Sequence, residues 1–264
     1  MRRPKNFLLL FLMSLACNFL QPSTTVLPTP TEKWTLTRVP LQTITPVPVT
    51  VYPEMTPLPD WVTQFADPIL FATADQRPTF QDDFSTYRGW LKRVYGVNGY
   101  TYAERYEEKL LLSLPEGIKD SVFYNPRLHL KNFVLTLDLR FYQGHIEDKV
   151  RFQFDGFPNQ QVVFDLSHNR YWAFYWGNFI DAQSISGNYP HFPPEHIPVT
   201  IIMKDAECAI YLNHDPLVYV EECRNPLSED WTTEFRLIRN NRNTVTVNFD
   251  NLKLWDLDKV SNAP

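Results

Sequence analysis

A two-residue alternation of apolar and polar side chains runs through residues 79–258 and constrains the fold more than any other feature. Asn132–Phe141 alternates almost without interruption, as do Val150–Phe154, Gln161–Leu166 and Thr244–Phe249. Because successive side chains of a strand point to opposite faces of a sheet, this period indicates strands buried on one face. Short strands at this spacing, without a long helical pattern between them, predict an all-β protein, an antiparallel β-sandwich. Further runs of this kind cover 100–106, 110–114, 171–176, 199–204 and 235–239.

A four-residue period precedes the strands, in residues 60–78. Trp61, Phe65 and Ile69 recur at the spacing of one helix face, and Pro68 lies inside the run. We predict a short helical segment that Pro68 kinks or shortens and that packs against the domain. A helix lying on a membrane surface is disfavoured, because the polar face lacks lysine and arginine.

Residues 18–59 have a different composition from the rest of the chain. Nine prolines alternate there with threonines, and the first glycine is Gly89. Proline without glycine favours a stiff, extended chain over a loose coil. We therefore predict a disordered N-terminal stalk, followed by the helical segment, one domain at 79–258 and a short tail at 259–264.

Residues 1–17 have the layout of a bacterial secretory signal. Three basic residues precede the apolar run Phe7–Ala16, which is about half the roughly 20 apolar residues needed to cross a bilayer. Cys17 closes the run and resembles the lipobox cysteine of bacterial lipoproteins, although Ser14 stands where lipoboxes usually carry leucine. The resemblance implies export, lipidation of Cys17 and anchoring to the extracytoplasmic face of the cell membrane. Ordinary secretion and an uncleaved anchor are the alternatives.

The charge of the chain argues against nucleic acid as a partner. Removal of residues 1–17 takes away three of the 25 basic residues and none of the 30 acidic ones, so the net charge changes from −5 to about −8. Nucleic acids and anionic headgroups need basic clusters on the protein. The membrane is therefore expected as a partner through the lipid anchor alone.

Cys208 and Cys223 remain as an even pair in an oxidising compartment. Between them, Ala209–Val220 indicates two alternating strands around the turn Asn213–Pro216. A β-hairpin would bring the two cysteines together at its open end, so we predict a disulfide. Two separately buried thiols are the alternative.

The two ends of the domain carry a resemblance to a known family. The segment Phe80-Gln-Asp-Asp-Phe84, followed by Trp90, opens the domain, and Val247–Trp255 closes it. Together with the hairpin, in which His214 replaces the usual glycine, they resemble the concanavalin A-like (laminin G-type) jelly rolls of bacterial envelope proteins, including relatives of the keto-disaccharide hydrolase family. The resemblance implies that the first and last strands are neighbours.

That pairing would bring Asp82 or Asp83 close to Asp250 and Asn251. Converging carboxylates repel each other unless a cation or an arginine lies between them, and calcium prefers oxygen ligands. The resemblance also implies calcium, because many such jelly rolls hold a structural ion. We therefore expect a structural calcium at Asp83 and Asp250, with turn-capping aspartates as the alternative.

Sequence motifs for catalysis are largely missing. The chain has no Gly-x-Ser-x-Gly, His-Glu-x-x-His or phosphate-loop motif, and the Glu-x-Asp-x-x-Glu strand of laminarinase-type glucanases, which share the implied fold, does not occur. His191, Glu195 and His196 suggest a metal site, but four prolines around them indicate a loop instead.

Strand parity suggests a polar face. Within 133–141 the apolar residues take one face and leave two charged residues on the other, and parity also turns polar residues of 150–154 and 161–166 outward. If these strands share a sheet, that face gathers acids, arginines and an amide beside the aromatic run Arg170–Trp176. Aromatic rings beside such groups suit carbohydrate recognition. The expected ligand-binding residues are Asp138, Arg140, Arg151, Gln153, Asp165, Trp172 and Trp176.

These observations favour a non-catalytic binding module over an enzyme. We expect a lipid-anchored jelly-roll domain that contacts glycan or another surface protein. A glycoside-active enzyme of the concanavalin A-like superfamily is the alternative, distinguished by two carboxyl groups that face each other across an open surface.

Overall fold

A computed structural model describes residues 57–260 except 87, 95–99, 103, 107–108, 115–117, 119, 191–195, 228 and 241–243. The predicted signal peptide with Cys17, almost all of the predicted stalk, His191, Glu195 and the end of the tail lie outside the described residues. Within the described ranges, no helix is long and apolar enough to span a membrane.

The described residues form two antiparallel sheets that pack face to face, which confirms the predicted β-sandwich. The strands of sheet A are β1 (Phe80–Asp82), β4 (Glu104–Tyr106), β5 (Lys109–Leu114), β7 (Phe133–Gln143), β12 (Ile197–Lys204), β13 (Glu207–Leu212), β14 (Asp215–Val220) and β16 (Val245–Asp256). Those of sheet B are β2 (Leu91–Val94), β3 (Tyr100–Tyr102), β6 (Asp120–His129), β8 (Lys149–Phe157), β9 (Gln160–Ser167), β10 (Tyr171–Asn178), β11 (Gln183–Asn188) and β15 (Glu229–Ile238). Sheet A has the order β14-β13-β12-β7-β16-β5-β4, with β1 also paired to β16, and sheet B has the order β11-β10-β9-β8-β15-β6-β2-β3.

The main core lies between the two sheets and follows the predicted parity. Leu135, Leu137 and Leu139 face inward from sheet A, and Phe152 and Phe154 meet them from sheet B. Each fully buried side chain of this size contributes about 1.5–3 kcal/mol. The alternation read from the sequence therefore correctly assigns the buried face of these strands.

The first and last strands are neighbours, as the family resemblance implies. Phe80 lies opposite Leu254 and Asp82 opposite Leu252 in the β1–β16 pair. The buried carboxylate of Asp82 accepts hydrogen bonds from the Phe84 backbone N–H and the Trp90 indole N–H. This pairing fixes the start of the domain to its end.

The helical segment packs on the outer face of sheet A. A π-helical turn, Val62–Ala66, leads directly into α1, Asp67–Ala74. Pro68 lacks the backbone N–H that a regular helix would need at this point, and Asp67 N–H bonds back to Val62 O across the wide turn. Phe65 and Ile69 are buried in a second apolar cluster with residues of β7, β12 and β13.

The hairpin β13–β14 confirms the predicted disulfide. Cys208 and Cys223 are bonded, with their Cα atoms 5.9 Å apart. Asn213 and His214 form the two-residue turn, with φ of 52° and 67°. Positive φ at both positions is the geometry of a type I′ turn, which matches the twist of the paired strands.

Four strand assignments differ from the sequence: one predicted run is divided, and β2, β6 and β11 were not predicted. The run 100–106 is divided between β3 in sheet B and β4 in sheet A. Strand β6 was not predicted, because Pro126 interrupts its pattern. The β6–β15 register shifts between Tyr124 and His129, so the proline lies where the ladder is already irregular.

Candidate functional site

The outer face of sheet B carries a belt of polar side chains across its central strands. The helical segment packs on sheet A, so this described helix does not cover the outer face of sheet B. Strand register sets the belt: Arg236 lies opposite Arg151, which lies opposite Asp165, and Glu234 lies opposite Gln153. We call this surface the polar belt and define it by Asp120, Lys149, Arg151, Gln153, Asp155, Asp165, Glu234 and Arg236.

One side of the polar belt is an ion cluster around Asp165. Its carboxylate, which is 1% exposed, accepts two hydrogen bonds from the Arg151 guanidinium, at 2.7 and 2.9 Å, and one from Lys149 Nζ at 2.7 Å. The Lys149 and Arg151 side chains retain 23% and 25% exposure. Asp165 and Arg151 therefore lie on one face as predicted, but Asp165 is engaged by its two cations and buried beneath them.

The other side of the belt is centred on Gln153 and Asp155. Gln153 Nε2 donates to both carboxylate oxygens of Asp155, at 3.0 and 2.8 Å, and Gln153 Oε1 accepts from Arg236 at 2.9 Å. Arg236 also pairs with Asp120. Burial raises the pKa of Asp155, outweighing the opposing effects of the Gln153 hydrogen bond and the nearby arginines. This carboxyl therefore holds a proton more readily than an exposed aspartate does.

Glu234 is a second carboxyl group beside Asp155. Glu234 lies directly opposite Gln153 on the neighbouring strand, and Asp155 is two residues further along β8. Such diagonal neighbours on one sheet face are about 7–8 Å apart at the backbone and somewhat closer at Cβ. Both residues are half-buried on the outer face. The register thus brings two carboxyl groups together, in contrast to the sequence analysis, which included neither.

A signal for Glu234 was present in the sequence. Glu229 and Glu234 have the spacing of the two outer glutamates in Glu-x-Asp-x-x-Glu, but Trp231 stands at the position of the aspartate. The β15–β8 register shifts between Glu229 and Thr232, and Glu229 lies opposite Phe157. Trp231 is buried against Gly156, where an added Cβ would approach its ring to 2.6 Å.

The predicted ligand-binding face is divided between the two sheets. Asp138 and Arg140 lie on the outer face of β7, in sheet A, whereas Arg151, Gln153 and Asp165 lie in sheet B. Asp138 accepts a hydrogen bond from Asn251, and Arg140 lies over the ring of Tyr142. The premise that these strands share a sheet is therefore wrong.

The aromatic run of β10 turns its tryptophans inward. Trp172 is 7% exposed and belongs to the main core, and Trp176 packs against that core and stacks on Phe174. Gly187, opposite Trp172, leaves room for its ring. Tyr171 and Tyr175 take the outer face instead. The expectation that the two tryptophans lie beside the polar groups is therefore wrong.

The residues expected to hold calcium are engaged in local turns. Asp83 accepts hydrogen bonds from the Ser85 backbone N–H and hydroxyl, and Asp250 accepts one from the Asn251 backbone N–H. No group of three or more His, Cys, Asp or Glu side chains suited to a metal occurs in the described part of the chain. Structural calcium at Asp83 and Asp250 stays a prediction, and these contacts do not supply a ready ligand set.

Comparison with known proteins gives structural matches without sequence matches. No protein-family model and no curated protein matches the chain. Similar solved structures include a Bacteroides ovatus mixed-linkage glucan GH16 enzyme, in complex with the product G4G4G3G, with a TM-score of 0.52 and 11% identity over 66% of this chain and 99% of that one. A Bacillus licheniformis β-glucanase has a TM-score of 0.53 and 7% identity over 69% and 99%. The catalytic domain of a Thermotoga petrophila endo-1,3-β-glucanase has a TM-score of 0.54 and 9% identity over 67% and 96%.

These matches define the fold as a concanavalin A-like jelly roll of the kind found in GH16 glycoside hydrolases. They do not extend to the keto-disaccharide hydrolase family named in the sequence analysis. They also contradict the expectation of a non-catalytic binding module and the preference against an enzyme, since the structural neighbours are glycoside hydrolases.

Proposed function

We propose that this protein is a glycoside-active enzyme of the concanavalin A-like superfamily, which hydrolyses a glycan bound across the polar belt of sheet B. The observation that carries the proposal is the pair Asp155 and Glu234, two half-buried carboxyl groups on one open sheet face. Paired carboxyl groups are what most glycoside hydrolases use. The named substrates of the structural neighbours suggest β-linked glucans as the first class to test.

The environments of the two carboxyl groups suggest different roles. Asp155, whose pKa burial raises, suits the general acid that gives its proton to the glycosidic oxygen as the bond breaks. Glu234 supplies the second carboxylate. At a short separation of the two carboxyl groups, Glu234 bonds to the anomeric carbon, and water then hydrolyses this glycosyl ester with Asp155 acting as the base. At a longer separation, Glu234 takes a proton from a water that attacks the anomeric carbon directly. Gln153 holds Asp155 in place and is itself held by Arg236, so this side chain orients the acid.

The proposal includes the cellular localisation predicted from the sequence. The mature protein would be exported, lipid-anchored at Cys17 to the extracytoplasmic face of the cell membrane and separated from it by residues 18–59. Mass spectrometry of the mature N-terminus tests this part: a diacylated cysteine at position 17 is expected. An unmodified N-terminus at another residue would contradict lipidation and leave the catalytic proposal untouched.

The test of activity is reducing-sugar release from laminarin and mixed-linkage β-glucan by the full chain. Wild-type protein is expected to release sugar, and Glu234→Gln and Asp155→Asn each to lower the rate at least about 100-fold, the usual contribution of an acid or base. Glu222→Gln, an exposed glutamate after β14, is the matched control and should retain activity. Full activity in both site variants would overturn the assignment of the pair.

Glu229 is the other candidate partner of Glu234, so Glu229→Gln is included in the test. Its backbone register opposite Phe157 places it along the strand from Glu234, at the spacing of the glucanase motif. If Glu229→Gln abolishes hydrolysis and Asp155→Asn does not, the acid pair is Glu229 and Glu234 instead.

A further inference from the structure

A cleft of about 650 Å³ lies on the outer face of sheet A, on the side of the sandwich away from the polar belt. Its volume falls within the roughly 300–1,000 Å³ of small-molecule sites. α1 forms one wall with Asp67 and Leu70, and the β13–β14 turn contributes His214. The cleft is therefore built from elements that the proposed hydrolysis does not use.

Strand register lines the floor of the cleft with a row of polar side chains. Tyr211 lies opposite Thr200, Thr200 opposite Thr136, and Thr136 opposite Lys253. These four residues come from four adjacent strands, so the row spans about 14 Å at the usual strand spacing. Asp138, hydrogen-bonded to Asn251, lies beside it.

The Tyr211 hydroxyl is a buried polar group that lacks a hydrogen-bond partner in the described structure. Its side chain is 6% exposed and lines the cleft. Burial, with the nearby Asp67 carboxylate, raises the pKa of Tyr211 to about 12, so the hydroxyl keeps its proton and can donate. Buried polar groups are nearly always hydrogen-bonded, and an unsatisfied one calls for an explanation such as a ligand or water.

The charges around the row select the class of ligand. The carboxylates of Asp67 and Asp138 would repel an anion such as phosphate, and the ammonium group of Lys253 would repel a metal cation. Three hydroxyls, an ammonium and two carboxylates instead match a neutral molecule rich in hydroxyl groups, which can both donate and accept. We propose that this cleft is a second, non-catalytic saccharide site that holds a glycan on the face opposite the polar belt.

The test uses the full chain carrying Glu234→Gln and a neutral β-1,3-linked glucose hexasaccharide, followed by ¹H–¹⁵N NMR. Saturable shifts are expected at the backbone amides of Thr136, Thr200 and Lys253. Tyr211→Phe and Thr136→Val are each expected to weaken this binding about tenfold, the effect of one lost hydrogen bond. Tyr142→Phe, on the same sheet face but outside the cleft lining, is the matched control and should bind as before.

The outcomes separate this proposal from the proposed function. Saturable shifts confined to sheet B, or no shifts at all, would overturn the saccharide site, as would equal affinity in Tyr211→Phe and Thr136→Val. Sugar release by wild-type protein is measured independently, so cleft binding without hydrolysis would overturn the enzyme assignment and leave the cleft proposal standing. Tyr211→Phe also removes an unsatisfied buried hydroxyl, so it should raise the melting temperature of the free protein even as it weakens binding.

Discussion

Two aspartates on one sheet face have opposite environments, and this difference assigns their roles. Asp165 is enclosed by Arg151 and Lys149, which balance its charge. Asp155 is held by the neutral amide of Gln153, with its arginines further away, so burial dominates and its pKa rises. Asp165 thus holds Arg151 and Lys149 on the sheet face, and Asp155 is the carboxyl group that we propose as the acid.

Asp155→Asn is expected to make the folded protein more stable at neutral pH. A carboxyl whose pKa is raised by folding contributes stability below its unfolded pKa, and this contribution is lost as the pH rises through the folded pKa. Asparagine cannot ionise and avoids that loss. The free energy of unfolding of wild type and Asp155→Asn is measured in urea at pH 3 and pH 7. The variant should be more stable than wild type at pH 7 and differ little from it at pH 3. A variant less stable than wild type at pH 7 would contradict the environment described for Asp155.

Some residues of the candidate site could be predicted from the sequence, and others could not. The alternation correctly predicts that Arg151, Gln153 and Asp165 lie on the outer face of their strands, because the face that a side chain takes depends only on its position within its own strand. It missed Asp155 and Glu234 because their proximity depends on which strands pair and in which register. Trp172 and Trp176 lie on the same face of β10 as Phe174, and this face, which has the larger apolar side chains, packs into the main core.

At the scale of elements, β15 and β8 position the candidate site through a local irregularity. The register shift between Glu229 and Thr232 lies beside buried Trp231, whose ring packs on Gly156 next to Asp155. A bulge inserts an extra residue and re-aims the side chains that follow it.

Gly156→Ala is expected to destabilise the protein by about 1–3 kcal/mol, the cost of overpacking a filled core. The new Cβ would lie 2.6 Å from the Trp231 ring, so the ring or the strand has to move. Because Asp155 is adjacent, hydrolysis should fall as well. Gly89→Ala, where a Cβ meets nothing closer than 4.0 Å but φ is +89°, is a comparison in which strain alone acts. Unchanged stability in Gly156→Ala would contradict the packing described.

The disulfide holds the β13–β14 hairpin, whose strand β13 also supplies Tyr211 to the cleft. In the chain-entropy account, a loop of about 15 residues is worth roughly 3 kcal/mol. We expect the double variant Cys208→Ser, Cys223→Ser to lose about that much in urea unfolding, and wild-type protein treated with reductant to lose the same. No loss in either would mean that the hairpin and its packing alone fix this edge of sheet A.

The main error of the sequence-based prediction is the placement of strands β7 and β8 in one sheet. Strands β7 and β8 are adjacent in the chain and both alternate, so they were assigned to one polar face. The connection 144–148 instead carries the chain from sheet A to sheet B. Side-chain pattern fixes which face of a strand is buried, but not which sheet the strand joins, since both sheets bury their apolar faces in the same core.

At the scale of the whole molecule, the two sheets present different surfaces. Sheet B exposes the polar belt with its carboxyl pair, and sheet A carries the helical segment and the cleft beside it. The fold class was predictable because alternation and the resemblance of residues 80–90 and 247–255 agree. The candidate site was not predictable, because its two carboxyl groups lie on strands that are distant in sequence.

The most direct measurement of the central claim compares two substrates that differ in their need for an acid. A 2,4-dinitrophenyl glycoside of a β-linked glucose oligosaccharide has a leaving group that departs without a proton, whereas a glucan requires one. For Asp155→Asn we expect the initial release of dinitrophenolate to stay near the wild-type rate while glucan hydrolysis falls at least about 100-fold. Glu234→Gln should lose both. Equal loss of both substrates in Asp155→Asn, or wild-type glucan hydrolysis in either variant, would contradict the account.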